Sequence, residues 1–138
     1  MSDANKATVQ RFVGELFVKG NLDVVDELVA DDYVEHSPLP GLPTGKAGLK
    51  QLATMFRTGF PDLAISDEDL IAEGDKVVMR QVTTGTHQGE FMGIAATGRK
   101  ITVNEIHVVR LTNGQIVEHW GVEDSLGMMQ QLGVIENP

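Results

Sequence analysis

The stretch NEIHVVRLTNGQIVEHWGVEDSLGMMQQLG, Asn104–Gly133, decides the fold. Two strand-like runs flank Asn113-Gly114, a dipeptide suited to a tight hairpin turn, so the runs pair antiparallel. The pairing brings His107 and His119 toward one wall, where a small ligand can meet them. Which residues share that wall depends on register, because a one-residue slip turns every side chain to the opposite face. A two-residue type I′ loop pairs Thr112 with Gln115 and sets His107 opposite Trp120. The wall is then Glu105, His107, Val109 and Leu111 with Ile116, Glu118, Trp120 and Val122. A three-residue loop with a bulge at Gly114 pairs Leu111 with Gln115 and sets His107 opposite His119. Gly121 and Glu123 follow on that wall, and Trp120 turns to the outer face.

Upstream, the period is helical. Val9, Phe12, Val13, Leu16 and Phe17 form one stripe at i, i+3, i+4, i+7 and i+8. Gly20 is suited to close that helix with a left-handed residue, and Asn21 to cap a second helix with Leu22, Val25, Leu28 and Val29 inward. Asp31–Ser37 reads as a transition into extended chain. Pro38, Pro40, Gly41 and Pro43 make a rigid loop. Thr44 is expected to cap a third helix carrying Leu49, Leu52, Ala53 and Phe56, with Pro61 beyond its end.

From Leu63 the period becomes two. Strands are expected over Leu63–Ala72, Lys76–Thr86, Ile101–Leu111 and Gln115–Glu123, with a last helical turn or two over Ser125–Leu132. Gly85–Lys100 holds four glycines and reads as a bulged strand or a loop at a pocket mouth. Helices followed by strands give an α+β order, with a mostly antiparallel sheet covered on one face by three N-terminal helices. A strongly curved sheet of this kind leaves a cone-shaped cavity.

The 138 residues suit one domain, 1–138, large enough for a core without staples. Cysteine is absent, which excludes disulfides and thiol nucleophiles. The net charge of −9 opposes nucleic-acid binding and anionic membranes. The start MSDANKATVQ has no apolar run and no stretch reaches membrane-span length, so a cytoplasmic protein is expected.

The candidate site residues follow from the wall. His107 sits mid-strand and is placed to donate a proton or hydrogen bond to a ligand, or is a buried structural histidine. Glu105, on the same wall, is a candidate base whose pKa burial would raise. Asp124 is either an N-cap for the last helix or a pocket acid. Glu118 and Glu123 are weaker, since each changes wall with the register. Tyr33, His36, His87, His119 and Trp120 are expected to reach a ligand. Met55, Phe56 and Phe91 supply adaptable apolar lining, or plain core. No histidine spacing supports a metal site, and the glycines lack a phosphate-cradle pattern.

Several motifs together resemble the SnoaL-like polyketide cyclase (ester cyclase) family of the nuclear-transport-factor-2-like superfamily. They are Gly85-Thr86-His87-Gln88-Gly89-Glu90-Phe91-Met92-Gly93, Thr97-Gly98-Arg99-Lys100, Ile106-His107-Val108-Val109-Arg110, Asn113-Gly114-Gln115-Ile116 and Gln131-Leu132-Gly133, with Asp32-Tyr33 and Thr44-Gly45. The resemblance implies a cystatin-like α+β barrel, a homodimer, no cofactor and a deep apolar pocket for a small hydrophobic molecule. It further implies ring closure by intramolecular aldol condensation, with a carboxylate as acid/base and a histidine, matching His107, that supports the enolate. The resemblance favours the second register, which puts positions 107 and 121 together. The family carboxylate aligns with position 121, where this chain has Gly121. That departure sets a cyclase or isomerase of a hydrophobic carbonyl compound against a non-catalytic ligand-binding or dimerisation domain.

Overall fold

The computed structural model describes residues 2–136. The chain opens with α1, Ser2–Val13, which runs into a π-helical turn over Gly14–Val18. Gly20, at φ +75°, ends that run as expected. Asn21 Oδ1 accepts from the Asp23 N–H at 3.2 Å, at the start of α2, Asp23–Leu28. Next comes β1, Val29–Glu35, where only a transition to extended chain was expected. α3 spans Gly45–Gly59; Thr44 stands at its cap position, but its side chain makes no capping hydrogen bond.

Four more strands follow: β2 (Ala64–Glu73), β3 (Lys76–Thr86), β4 (Lys100–Thr112) and β5 (Gln115–Glu123), then α4, Ser125–Gln131. The sheet order is β1-β5-β4-β3-β2. It is mixed, because β1 joins the edge parallel to β5 while the other neighbours are antiparallel. This is the α+β arrangement that the order of periods implies. No helix among the described residues is long and apolar enough to cross a membrane.

The Asn113-Gly114 hairpin combines parts of both expected registers. Both turn residues have positive φ, 51° and 77°, as a two-residue type I′ turn requires. Thr112 pairs with Gln115 and Leu111 with Ile116. The partner of Arg110 is then Glu118, so Val117 is an extra residue, a β-bulge. The bulge reverses the alternation beyond it. His107 therefore pairs with Gly121, not Trp120 or His119, and Glu105 pairs with Glu123. The wall is that of the second register, reached with the turn of the first.

Buried side chains form two groups. Val9, Phe12, Leu16, Val25, Leu49 and Ala53 of the helices meet Val77, Met79, Val109 and Ile116 of the sheet. At the other end Phe60, Leu63, Phe91, Ile101, Val103 and Met128 pack together. The segment 87–99 is a loop that belongs to this second group, not to a cavity mouth. It is tied down where the Gln88 and Gly89 N–H groups donate to the Gly59 carbonyl at 3.0 and 3.2 Å. A Cβ at position 89 would stand 2.1 Å from the Thr58 carbonyl oxygen, so only glycine allows that approach.

Candidate active site

Between the sheet and the helices lies a cavity of about 440 Å³. Phe12, Phe17, Leu49, Leu52 and Phe56 line it from the helices, and Pro38, Leu39, Leu42 and Pro43 from the proline loop. The sheet contributes Tyr33, Glu35, Met79, Gln81, Thr83, Glu105, His107, His119, Gly121 and Glu123. No Lys or Arg is among the described lining residues.

The polar lining is a chain of hydrogen bonds. Alternation along β1 puts Tyr33 and Glu35 on one face, and the parallel register sets Glu35 beside His119. The Tyr33 hydroxyl donates to Glu35 Oε1 at 2.7 Å. Glu35 Oε2 contacts His119 Nδ1 at 2.6 Å; His119 Nε2 contacts His107 Nδ1 at 2.8 Å; His107 Nε2 contacts Glu105 Oε1 at 2.7 Å. The Ser37 N–H adds a bond to Glu35 Oε2 at 3.1 Å, and Ser37 Oγ accepts from the Gly121 N–H at 3.0 Å. The two imidazoles lie 5.0 Å apart, nearly parallel at 28°.

These groups are largely withdrawn from water, with side-chain exposures of 13–21% for Glu105, His107, Glu35 and His119. Burial works against the charge of Glu35. The bond and charge of His119, with the Tyr33 and Ser37 donors, outweigh it and hold the carboxyl below the ordinary range. Burial and the charge of Glu35 push the Tyr33 hydroxyl far above its ordinary value, so it stays a donor.

The three contacts Glu35–His119, His119–His107 and His107–Glu105 need three protons. Two neutral imidazoles bring only two. The third resides on an imidazole, which makes the pair cationic, or on one of the two carboxyls.

Glu123 faces Glu105 across the β4–β5 ladder. Burial first, and the charge of Glu105 second, push its carboxyl above the ordinary range, against smaller opposing effects of His107 and Ser125. A raised carboxyl weakens the fold as pH climbs from the ordinary Glu value toward the raised one. Glu123→Gln is therefore expected to melt at a higher temperature than the parent at pH 7, and at the same temperature near about pH 3, where both side chains are neutral. Equal melting temperatures at pH 7 would refute this.

The family match can now be placed on this geometry. The sequence model of the SnoaL-like polyketide cyclases matches residues 7–132. The chain belongs to the SnoaL-like polyketide cyclase family. Nogalonic acid methyl ester cyclase of Streptomyces nogalater is 33% identical over 119 residues, 85% of this chain and 89% of that protein. Aklanonic acid methyl ester cyclase DauD of Streptomyces sp. strain C5 is 30% identical over 128 residues, 91% of this chain and 79% of that one. The solved structure of TsrD from Streptomyces laurentii superposes with a TM-score of 0.81 at 29% identity, covering 94% of this chain and 97% of that chain.

Of the residues singled out from the SnoaL-like sequence, Glu105, His107, His119, Glu123, Tyr33 and Phe56 meet in the cavity. The others stand elsewhere. Asp124 is not a pocket acid: it caps α4, where Oδ1 accepts from the Gly127 N–H at 2.9 Å. The bulge turns Trp120 to the outer face, where it stacks on His36 at 4.6 Å and 3°. His36 also bonds Glu118 at 2.6 Å there, one residue past Glu35 and so on the opposite side of the chain. His87 is fully buried beside Phe60, with Nδ1 accepting from the Thr97 N–H at 3.2 Å. Phe91 and Met55 belong to the second core group. Glu35, Gln81 and Thr83 were not anticipated. For Glu35 a signal was present: Tyr33, Glu35 and Ser37 repeat at period two within the segment read only as a transition.

Proposed function

We propose that this SnoaL-like chain closes a ring of a polyketide ester by intramolecular aldol chemistry, with its own side chains as acid and base and no cofactor in any step. The observation that carries the proposal is the Glu105–His107 contact of 2.7 Å on the cavity wall. One carboxylate oxygen of Glu105 is held by His107. The other is the atom we assign to taking the acidic C–H proton. His107 is placed to support the enolate oxygen, because the chain of bonds behind it supplies a positive charge.

The lining supports a hydrophobic substrate without a free acid. The apolar helices and proline loop suit fused carbon rings. Glu35, Glu105 and Glu123, with no lining Lys or Arg, would repel an ionised carboxylate and accept its ester. Thr83 carries a buried hydroxyl without a partner, which an oxygen of the substrate would satisfy. Two relatives are named for cyclising methyl esters, which supports the same substrate class. The test is to incubate the purified protein with nogalonic and aklanonic acid methyl esters and follow ring-closed product by mass-resolved chromatography. Ligand-induced stabilisation without product from either ester would move the reading to a binding protein.

The outer face supports a homodimer. Ile106, Val122 and Val34 are 50%, 75% and 47% exposed there. We place a second copy on that surface. Sedimentation at the 15.0 kDa mass of one chain, at tens of micromolar protein, would overturn it.

A further inference from the structure

We propose that Glu35 is a positioning residue of this site: acting through His119, it keeps the His107 imidazole charged and aimed at Glu105. The inference rests on the cyclase reading of the cavity for its kinetic consequence, but not for its charge.

The first ground is steric. A Cβ at position 121 would stand 2.6 Å from His107 Nδ1 and 2.9 and 3.0 Å from His119 Cε1 and Nε2. A side chain at 121 would force one imidazole out of this arrangement. Gly121 is therefore a condition for the pair.

The second ground is connectivity. His119 has both nitrogens engaged, one by Glu35 and one by His107, so it reaches the substrate only through His107. Glu35 has both oxygens engaged, by Tyr33 on one side and by His119 and Ser37 on the other. A carboxylate so fully occupied is built to hold an orientation and a charge, not to take a proton from a ligand. Glu35 arrives from β1 and reaches across the β1–β5 pairing, which explains why no local motif around His107 contains it.

The third ground is the balance of protons. Three bonds need three protons, and with Glu105 and Glu35 each −1 the imidazole pair is +1. Glu105 takes the substrate C–H proton, and the C–H electron pair becomes the enolate. The enolate carbon bonds to the receiving carbonyl carbon, and the C=O π pair passes to that oxygen. Glu105 returns its proton to this alkoxide. The pair stays at +1 throughout, beside first the enolate and then the alkoxide, and the network ends as it began.

Glu35→Gln removes the charge and keeps the shape. With nogalonic acid methyl ester as probe, kcat is expected to fall about 100-fold or more, with KM within about threefold, since the loss falls on the transition state. The alkaline limb of the kcat profile is expected to move to lower pH by about one unit or more, as loss of a neighbouring carboxylate dictates. Independently of any substrate, imidazole 15N shifts at pH 7 should show one charged ring in the parent and two neutral rings in the variant. Should Glu35→Gln fail to fold, His119→Gln carries the same test, with the His107 ring neutral. Two neutral rings in the parent, or a charged ring and unchanged kcat in Glu35→Gln, overturns the inference. A charged pair that responds to Glu35→Gln in a protein that turns over no ester upholds the relay and refutes the cyclase reading instead.

Discussion

Gly121→Ala is expected to cost about 2 kcal/mol of stability, the scale for forcing extra atoms into a packed site. The added carbon would lie 2.6 Å from His107 Nδ1 and within 3.0 Å of the His119 ring, so one imidazole must leave the 2.8 Å contact. The backbone is not the obstacle, because Gly121 is not among the glycines with positive φ. A cycle separates the two causes. In a His119→Ala background the same Gly121→Ala change should cost less by about 1–2 kcal/mol, the coupling typical of residues that touch. Urea unfolding of the parent, the two single variants and the double variant measures this. Additive costs would show that the collision is relieved elsewhere.

His107→Ala should lower turnover of the methyl ester by about 10²–10⁴-fold, the range for removing a positioned acid–base group. The fold should survive. His107 lines a cavity wall and is partly exposed, so its removal enlarges existing space without opening a sealed void. What disappears is the link between Glu105 and the charge held by His119 and Glu35. Product formation under single-turnover conditions, alongside a melting curve, separates chemistry from stability. Parent-like turnover in a folded His107→Ala protein would remove the imidazole from the mechanism.

Much of this site was legible without coordinates. Glu105 and His107 lie two apart in an evident strand, which alone puts them on one face. Asp124 stands before an amphipathic run, and its capping role follows from residue type and position. The placements that changed are those that needed a count across space. Trp120 and His36 look as suited to a ligand as His119 does. They stack on the outer face only because of the bulge and of the alternation along β1. His87 and Phe91 sit in a glycine-rich stretch that suggests a mouth, yet the stretch folds under α3 and joins the core.

The order of helices and strands, the Asn113-Gly114 turn and the pairing of Glu105 with His107 were determined by the sequence itself, because each rests on contacts or backbone preferences within a few residues. Tertiary structure alone decided the extra residue at Val117, the docking of β1 along β5, and the closing of Glu35, His119, His107 and Glu105 into one network. A single inserted residue in a ladder reverses which side chains face inward, and no local preference announces it. Its energy comes from which face of β5 meets the cavity and the helices, a sum over partners that exist only once the sheet and its helices have met.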